Sequence, residues 1–381
     1  MLFPKPQRRD GDGGKGASGY PLLSDNNEKE NKQKKILSLV NKAKEQKKFS
    51  HAYLACGSLL KQKKVFEHLV SDDQRSLFDL ASLTKALVTT PLLFREQEKD
   101  PEFFDRSFKE ALRGNVSLFP KKIQGLKLID LLSHRSGLPA WRSLWINCGL
   151  KSRSSFYIEN SQEEFLKRLN FISLKHTSSF CYSDLGFILL GLCIECRQEK
   201  SLDQVFQEFC CENLSLNTKL CFAPSSATRN RVVPTSYCQL RKKDLCGEVH
   251  DENSAFLGGV TGHAGLFGAG EDVVKFLEAL ALTPLGKKIL EKNFVSFEKQ
   301  KQRLASTYGW QQAPQVFSPV KNTRAIGHLG FTGCSFWLAK KGLHYGVFLT
   351  NRVRSGRRIE PWLRELRCQV YTFFQEILDD S

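Results

Sequence analysis

Ser82 and Lys85 stand three residues apart in the run Phe78-Asp79-Leu80-Ala81-Ser82-Leu83-Thr84-Lys85. At the start of a helix that spacing puts a hydroxyl and an amine on one face, one turn apart. A serine oxygen is a weak nucleophile until a neighbouring group takes its proton, and a lysine amine within reach is one group able to take or guide it. A helix N-terminus adds the positive end of the peptide dipole, which favours an alkoxide and a developing oxyanion. Lysine acts as a base only when partly neutral, and burial shifts its pKa that way. Taken alone, the pair also describes an N-capping serine followed by a solvated lysine.

Further segments with polar or glycine punctuation follow in order. Leu131-Leu132-Ser133-His134-Arg135-Ser136-Gly137-Leu138-Pro139 comes first, and Tyr182-Ser183-Asp184-Leu185-Gly186-Phe187 heads a helix. Glu248-Val249-His250-Asp251-Glu252-Asn253 and Gly259-Val260-Thr261-Gly262-His263-Ala264-Gly265-Leu266-Phe267 come next, then Gly327-His328-Leu329-Gly330-Phe331-Thr332-Gly333 before a strand. His134 reads as a turn-holding residue. His250, Asp251 and His263 lack the spacing of metal ligands. They read as a network ordering their loops, with a substrate contact for His250 or His263 as the sharper alternative. Cys193-x-x-Cys196 followed by Cys210-Cys211 lies in an apolar helical run rather than on a metal knuckle. Gly258–Gly265 lacks the Gly-Lys-Ser/Thr ending of a phosphate loop. The expectation is therefore chemistry with no metal and no organic cofactor.

In their order and spacing these segments resemble the serine β-lactamase and penicillin-binding-protein superfamily. The nearer resemblance is to its class C-like branch of esterases, D-Ala peptidases and muropeptide amidases, over about residues 50–378. The Val-His-Asp-Glu-Asn and Gly-His-Ala-Gly-Leu-Phe blocks resemble a sub-branch associated with cell-wall turnover. The resemblance implies that Ser82 is the nucleophile, Lys85 its partner and Tyr182 a proton relay. It implies that the backbone N–H groups of Ser82 and Phe331 form an oxyanion hole. His328-Leu329-Gly330 matches the Lys/His-Thr-Gly strand motif, so His328 would line the cleft and hold a carboxylate or orient a proton. Gly330 would leave room for the substrate backbone. Asp184 stands where many relatives carry Asn; it would pair with Lys85, keep it protonated and favour Tyr182 as the base, or serve as a helix-start carboxylate. Leu329 replaces a hydroxyl residue, which removes one hydrogen bond to a substrate carboxylate. The implied activity is acyl transfer through Ser82 on an amide or ester, leaning to peptidoglycan fragments. A carboxylesterase, a D-Ala carboxypeptidase or β-lactamase, and a non-catalytic peptidoglycan- or protein-binding scaffold are the alternatives.

The elements that must position these residues form an α+β pattern. Residues 1–28, rich in Gly, Asp, Asn, Arg and Lys, read as a disordered lead, and 29–381 as one hydrolase domain. Ile36, Leu37, Leu39, Val40 and Ala43 make one stripe of a basic helix. Strand-like runs follow at His51–Leu59 and Lys64–Leu69, and again at Cys334–Ala339 and Leu343–Asn351, with Lys340-Lys341-Gly342 as a hairpin turn. A last helix is expected over Glu360–Leu378. A mainly antiparallel sheet from 29–81 and 300–381, flanked by the N- and C-terminal helices, would pack on a mostly helical region over 82–299. Pro91 conflicts with a straight helix after Ser82 and should kink or end it.

At 381 residues with 41% hydrophobic content the chain can bury a sizeable core. The net charge of +17 fits a solvated surface, or contact of the basic N-terminal region with an anionic surface. No nucleic-acid motif stands out, so no nucleic-acid partner is expected. No run is long and apolar enough to span a membrane. Met1–Tyr20 lacks a signal-peptide apolar region, and the twelve cysteines read as core thiols, so the expectation is a reducing cytoplasm.

Overall fold

The computed structural model describes residues 22–112, 116–145, 161–175, 179–299, 308–312, 324–358 and 361–379. The principal sheet takes its strands from both ends of the chain. β1 is Ala52–Ser58 and β2 Lys63–Val70. Three short strands, β3 Phe78–Asp79, β4 Cys221–Phe222 and β5 Leu266–Gly268, form a second sheet in the order β3-β5-β4. β6 Gln311–Gln312, β7 Ala325–Leu329, β8 Ser335–Ala339 and β9 His344–Thr350 complete the first sheet. Its order is β2-β1-β9-β8-β7-β6, with every pairing antiparallel.

The alternation expected of strands decides which side chains meet which layer. Leu54 and Cys56 of β1 face one side, with Ile36 and Val40 of helix α1 (Leu22–Glu45) and Val370 and Phe374 of the last helix. Tyr53 and Ala55 face the other, in the larger core that includes Val273 and Leu277 of the helix Gly270–Leu282. All of β1 is buried, as a central strand covered on both faces must be. β2 lies at the edge and is largely exposed. The fold is thus α+β, with the terminal helices on one face of the sheet. The helix Gly270–Leu282, expected within the helical region, itself packs on β1 and β9. Helix α1 begins at Leu22, inside the stretch expected to be a lead, while residues 1–21 lie outside the described residues. The last helix runs Pro361–Asp379.

Pro91 is accommodated in a different way from the expected kink. Lys85–Thr89 form a single π-helical turn that runs without a break into helix α2, Thr90–Lys99, with Thr89 and Thr90 both in helical conformation and Pro91 just after the turn. Pro91 has no N–H to donate, so the turn before it is left short of one helical donor. The widened turn leaves carbonyls that need partners. The Lys85 carbonyl accepts from the Thr90 N–H and from Thr90 Oγ1 at 2.8 Å. The Ala86 carbonyl accepts from the Trp310 indole N–H at 3.2 Å. The segment carrying Ser82 and Lys85 is therefore tied to the strand end that carries Trp310.

Candidate active site

Ser82 sits in a tight turn between β3 and the π-turn. Successive N–H groups of Leu83, Thr84 and Lys85 donate to the carbonyls of Leu80, Ala81 and Ser82 at 3.1 Å each. Ala81, just before Ser82, has φ of +48°, a left-handed conformation that costs a non-glycine residue about 1–2 kcal/mol. Asp79 holds it there: its Oδ1 accepts the Ala81 N–H at 2.9 Å, and its Oδ2 accepts the His250 N–H at 2.7 Å. Burial pushes the Asp79 carboxyl up to about 6 against those two bonds.

Lys85 is fully buried and faces three acceptors. Its Nζ donates to Ser82 Oγ at 2.9 Å and to the His263 carbonyl at 3.0 Å, and lies 2.7 Å from Asp184 Oδ1. The Tyr182 ring is beside it, its centre 5.1 Å from Nζ, and the phenol interacts electrostatically with Lys85. Burial alone would lower the Lys85 pKa, but Asp184 and Tyr182 outweigh it and hold the amine above its ordinary value. Burial raises the Tyr182 phenol, and the charge of Lys85 offsets only part of that. At rest the site therefore holds an ammonium and a neutral phenol, so Lys85 is not the neutral amine that a base requires.

Helix α3 (Asp184–Gln198) presents Asp184 in its first turn, and Ser183 caps it by accepting the Gly186 N–H. Tyr182 precedes the cap and is held from behind by His134. The Ser183 N–H donates to His134 Nδ1 at 2.9 Å, the Cys181 N–H donates to the His134 carbonyl, and the two rings lie 4.5 Å apart. His134 does hold a turn, with φ of +59°, and that turn carries Tyr182. The other wall comes from Gly262-His263. A Cβ on Gly262 would lie 2.3 Å from the Phe187 carbonyl oxygen, so only glycine lets this loop meet α3 closely enough for the His263 carbonyl to reach Lys85.

For His263 the structure shows the loop-ordering network that the sequence reading put first, rather than the substrate contact given as its alternative: both ring nitrogens are engaged within the protein, Nε2 with Asp251 Oδ1 at 2.9 Å and Nδ1 with Thr261 Oγ1 at 3.0 Å. Burial disfavours charge on Asp251, yet His263 and the Ser254 N–H hold its carboxyl well below the usual range. His250 is buried with its ring 5.6 Å from that of Phe331, and its Nε2 has no partner among the described residues. Burial, with help from Arg357, brings its pKa down to about 4.

The strand side of the cleft is β7 and the loop after it. His328 is fully buried, and its Nδ1 lies 2.8 Å from the Leu329 carbonyl. A carbonyl only accepts, so Nδ1 carries the proton and Nε2 is a lone-pair acceptor. Burial and the charge of Lys85 bring the His328 pKa down to about 3. A neutral ring with an acceptor nitrogen is unsuited to holding a carboxylate and suited to orienting a proton. Gly330 passes the segment before Ser82 so closely that a Cβ would lie 2.7 Å from the Leu80 carbonyl oxygen. Thr332 Oγ1 donates to the Asp79 carbonyl at 2.7 Å. Phe331, between them, is exposed. Arg352 lies beneath it, its Nε and Nη2 donating to the Phe331 carbonyl at 2.9 and 2.6 Å.

Sequence reasoning gave no part to Asp79 or Arg352. Asp79 stands three residues before Ser82, but in the strand ahead of the helix, where that spacing does not bring two side chains onto one helical face. Arg352 follows the apolar strand β9 and reads as a solvated strand end.

The chain matches the Beta-lactamase family over residues 60–368. It is 27% identical over 321 residues to the N-acetylmuramyl-L-alanine amidase of Bacillus subtilis (strain 168), covering 75% of this chain and 70% of that protein. Among solved structures it is similar to EstCE1, a hydrolase with promiscuous acyltransferase activity, at a TM-score of 0.65 and 17% identity, over 90% of this chain and 99% of that one. It is also similar to a class C β-lactamase from Rhodobacter sphaeroides, at a TM-score of 0.64 and 14% identity, again over 90% and 99%. A match that spans five of the six strands of the principal sheet and the segments gathered around Ser82 establishes that the chain belongs to the Beta-lactamase family.

Proposed function

We propose that the protein is a serine hydrolase that cleaves an amide or ester through an acyl-enzyme on Ser82. The observation that carries this reading is the bond from Lys85 Nζ to Ser82 Oγ, made while the same ammonium is paired with Asp184. Because Lys85 donates to the serine oxygen, the serine proton is left for Tyr182. Ser82 Oγ attacks the carbonyl carbon as its proton passes to the Tyr182 oxygen, and the phenol's own proton passes to the leaving nitrogen or oxygen. The N–H groups of Ser82 and Phe331 take the oxyanion. Lys85 stays charged and, bonded to Ser82 Oγ, steadies the negative charge that develops on that oxygen as its proton leaves. Water then attacks the acyl carbon as its proton passes to the Tyr182 oxygen and the phenol's own proton returns to Ser82 Oγ, which releases the acid. This ordering makes the neutral Tyr182 phenol a proton relay and gives Lys85 an electrostatic role.

For substrate, the reading is an amide in a peptidoglycan fragment, supported by the identity to a muramyl-alanine amidase. A carboxylesterase acting on small acyl esters is the second reading. It is favoured by the missing hydroxyl at Leu329 and by the neutral His328, which together weaken the grip on a substrate carboxylate.

The test is labelling with a fluorophosphonate, with the adduct mapped by mass spectrometry. The expected adduct is on Ser82 and is absent from Ser82→Ala, which also loses hydrolysis of p-nitrophenyl acetate. A folded wild-type chain that never labels would instead be a binding scaffold. Preference for a purified muropeptide over the ester supports the amidase, and the reverse supports the esterase.

A further inference from the structure

Arg352 is almost fully buried, and among the described residues no carboxylate pairs with it. All of its recorded acceptors are backbone carbonyls. Nε and Nη2 fork onto the Phe331 oxygen, and Nη1 reaches the carbonyls of Gly356, Arg357 and Arg358 at 3.4, 3.2 and 3.0 Å. Its guanidinium carbon lies 4.4 Å from the centre of the Phe331 ring. Burying a cation without an anion is unfavourable, because carbonyl dipoles replace only part of its hydration. Burial, then the neighbouring Arg367 and Arg357, lower its pKa to about 10, which leaves it charged at neutral pH. Arg357, the other cation at this ring, is by contrast neutralised by Glu252.

The position of this uncompensated charge gives it a use. Phe331 is the residue whose N–H the proposed mechanism assigns to the oxyanion. Its carbonyl is clamped by two N–H bonds from one rigid, planar group, which fixes the residue's orientation. The anchor of the clamp is itself fixed: Asn351, next in the chain, accepts the Ser50 and His51 N–H groups at 3.0 and 3.1 Å and so locks the exit of β9 to the entry of β1. A preorganised positive charge beside a site where negative charge develops stabilises the transition state more than the ground state.

We propose that Arg352 is the positioning residue of the oxyanion hole, aiming Phe331 and supplying the unpaired positive charge that the tetrahedral intermediate requires. This rests on the Ser82 acyl-enzyme reading. A neutral structural anchor would hold the loop equally well through carbonyl contacts, so the distinguishing property is charge felt only in the transition state.

The experiment compares Arg352→Lys and Arg352→Met with wild type and Ser82→Ala on p-nitrophenyl acetate. It also measures the affinity of phenylboronic acid, which forms a tetrahedral adduct with a serine oxygen. The expected result is a kcat reduced ~100-fold in Arg352→Met, on the scale of losing one oxyanion donor, with Arg352→Lys intermediate and KM changed less than about 3-fold. Boronate affinity should fall in parallel with kcat, and guanidinium ion added to Arg352→Met should restore part of both. A cooperatively folded Arg352→Met with near-wild-type kcat and boronate affinity overturns the inference. So does a loss confined to KM, or failure of both variants to fold, which would make Arg352 a stability residue. If Ser82→Ala keeps its activity, the acyl-enzyme reading fails instead, whatever the Arg352 variants do.

Discussion

Lys85 Nζ and Asp184 Oδ1 lie 2.7 Å apart, and the lysine is fully buried while the aspartate is mostly so. These residues come from different helices, and their pairing decides the protonation state of the site. A buried lysine without a partner loses its proton; one held by a carboxylate keeps it. The consequence is a charged Lys85, which is why the proposed mechanism passes the serine proton through Tyr182 instead.

Asp184→Asn tests this relationship directly. The amide keeps the shape and removes the charge, so burial then acts on Lys85 with only Tyr182 opposing it. The Lys85 pKa should drop. In the wild type, kcat/KM should remain flat to about pH 10, because the amine is held above its ordinary range. In Asp184→Asn an alkaline limb should enter the measurable range, with the plateau ~10-fold lower. A pH–rate profile on p-nitrophenyl acetate checks it, and an unmoved alkaline limb would show that Asp184 does not set the charge of Lys85.

Gly330→Ala probes the close approach of the two segments. The added methyl would meet the Leu80 carbonyl oxygen, which is backbone two residues before Ser82 and has little freedom to yield. The loop carrying Phe331 must then shift away from the nucleophile. The expected result is a kcat loss of about 10–100-fold, since a displacement near 1 Å misaligns reacting groups. Stability should fall by about 1–3 kcal/mol. Steady-state kinetics and thermal unfolding separate the two effects; unchanged kcat in a folded variant would mean that Gly330 does not position the site.

The buried histidines set an acid limit on stability. His328 has its pKa brought down to about 3, chiefly by burial, against an unfolded value near 6.5. Between those values the unfolded chain binds a proton that the folded chain refuses, so stability falls as pH is lowered from about 6.5 toward 3. The slope is about 1.4 kcal/mol per pH unit for each such group. His250, brought down to about 4, adds to it over a narrower range. His328→Gln should therefore lose less stability than wild type between pH 6.5 and 4, measured by denaturant unfolding at several pH values. Parallel curves for the two proteins would contradict a neutral buried His328.

Local patterns in the sequence were enough to locate four of the five longer strands, the terminal helices and the serine–lysine pair. Hydrophobic period and turn residues are properties of short segments, and β1, β2, β8, β9 and Pro361–Asp379 lie within one or two residues of where those patterns place them. Pro91 announced an irregularity, but its resolution as a π-turn depended on Trp310, which is distant in sequence and supplies the donor for the Ala86 carbonyl. The order of motifs singled out Tyr182, Asp184, His328 and Gly330 as well.

What those residues do to one another was decided only in three dimensions. The charge on Lys85 depends on burial set against a carboxylate 99 positions away, and no segment of sequence contains that balance. The His263 side chain orders its loop as its sequence context suggested, but the residue reaches Lys85 through its backbone carbonyl, an atom every residue possesses and no pattern marks. Asp79 and Arg352 were invisible for a related reason: each acts by binding backbone N–H or C=O groups of remote segments. Periodicity records which side chains face the core. Desolvation and long-range hydrogen bonding, which fix charge and aim, exist only once the chain has closed on itself.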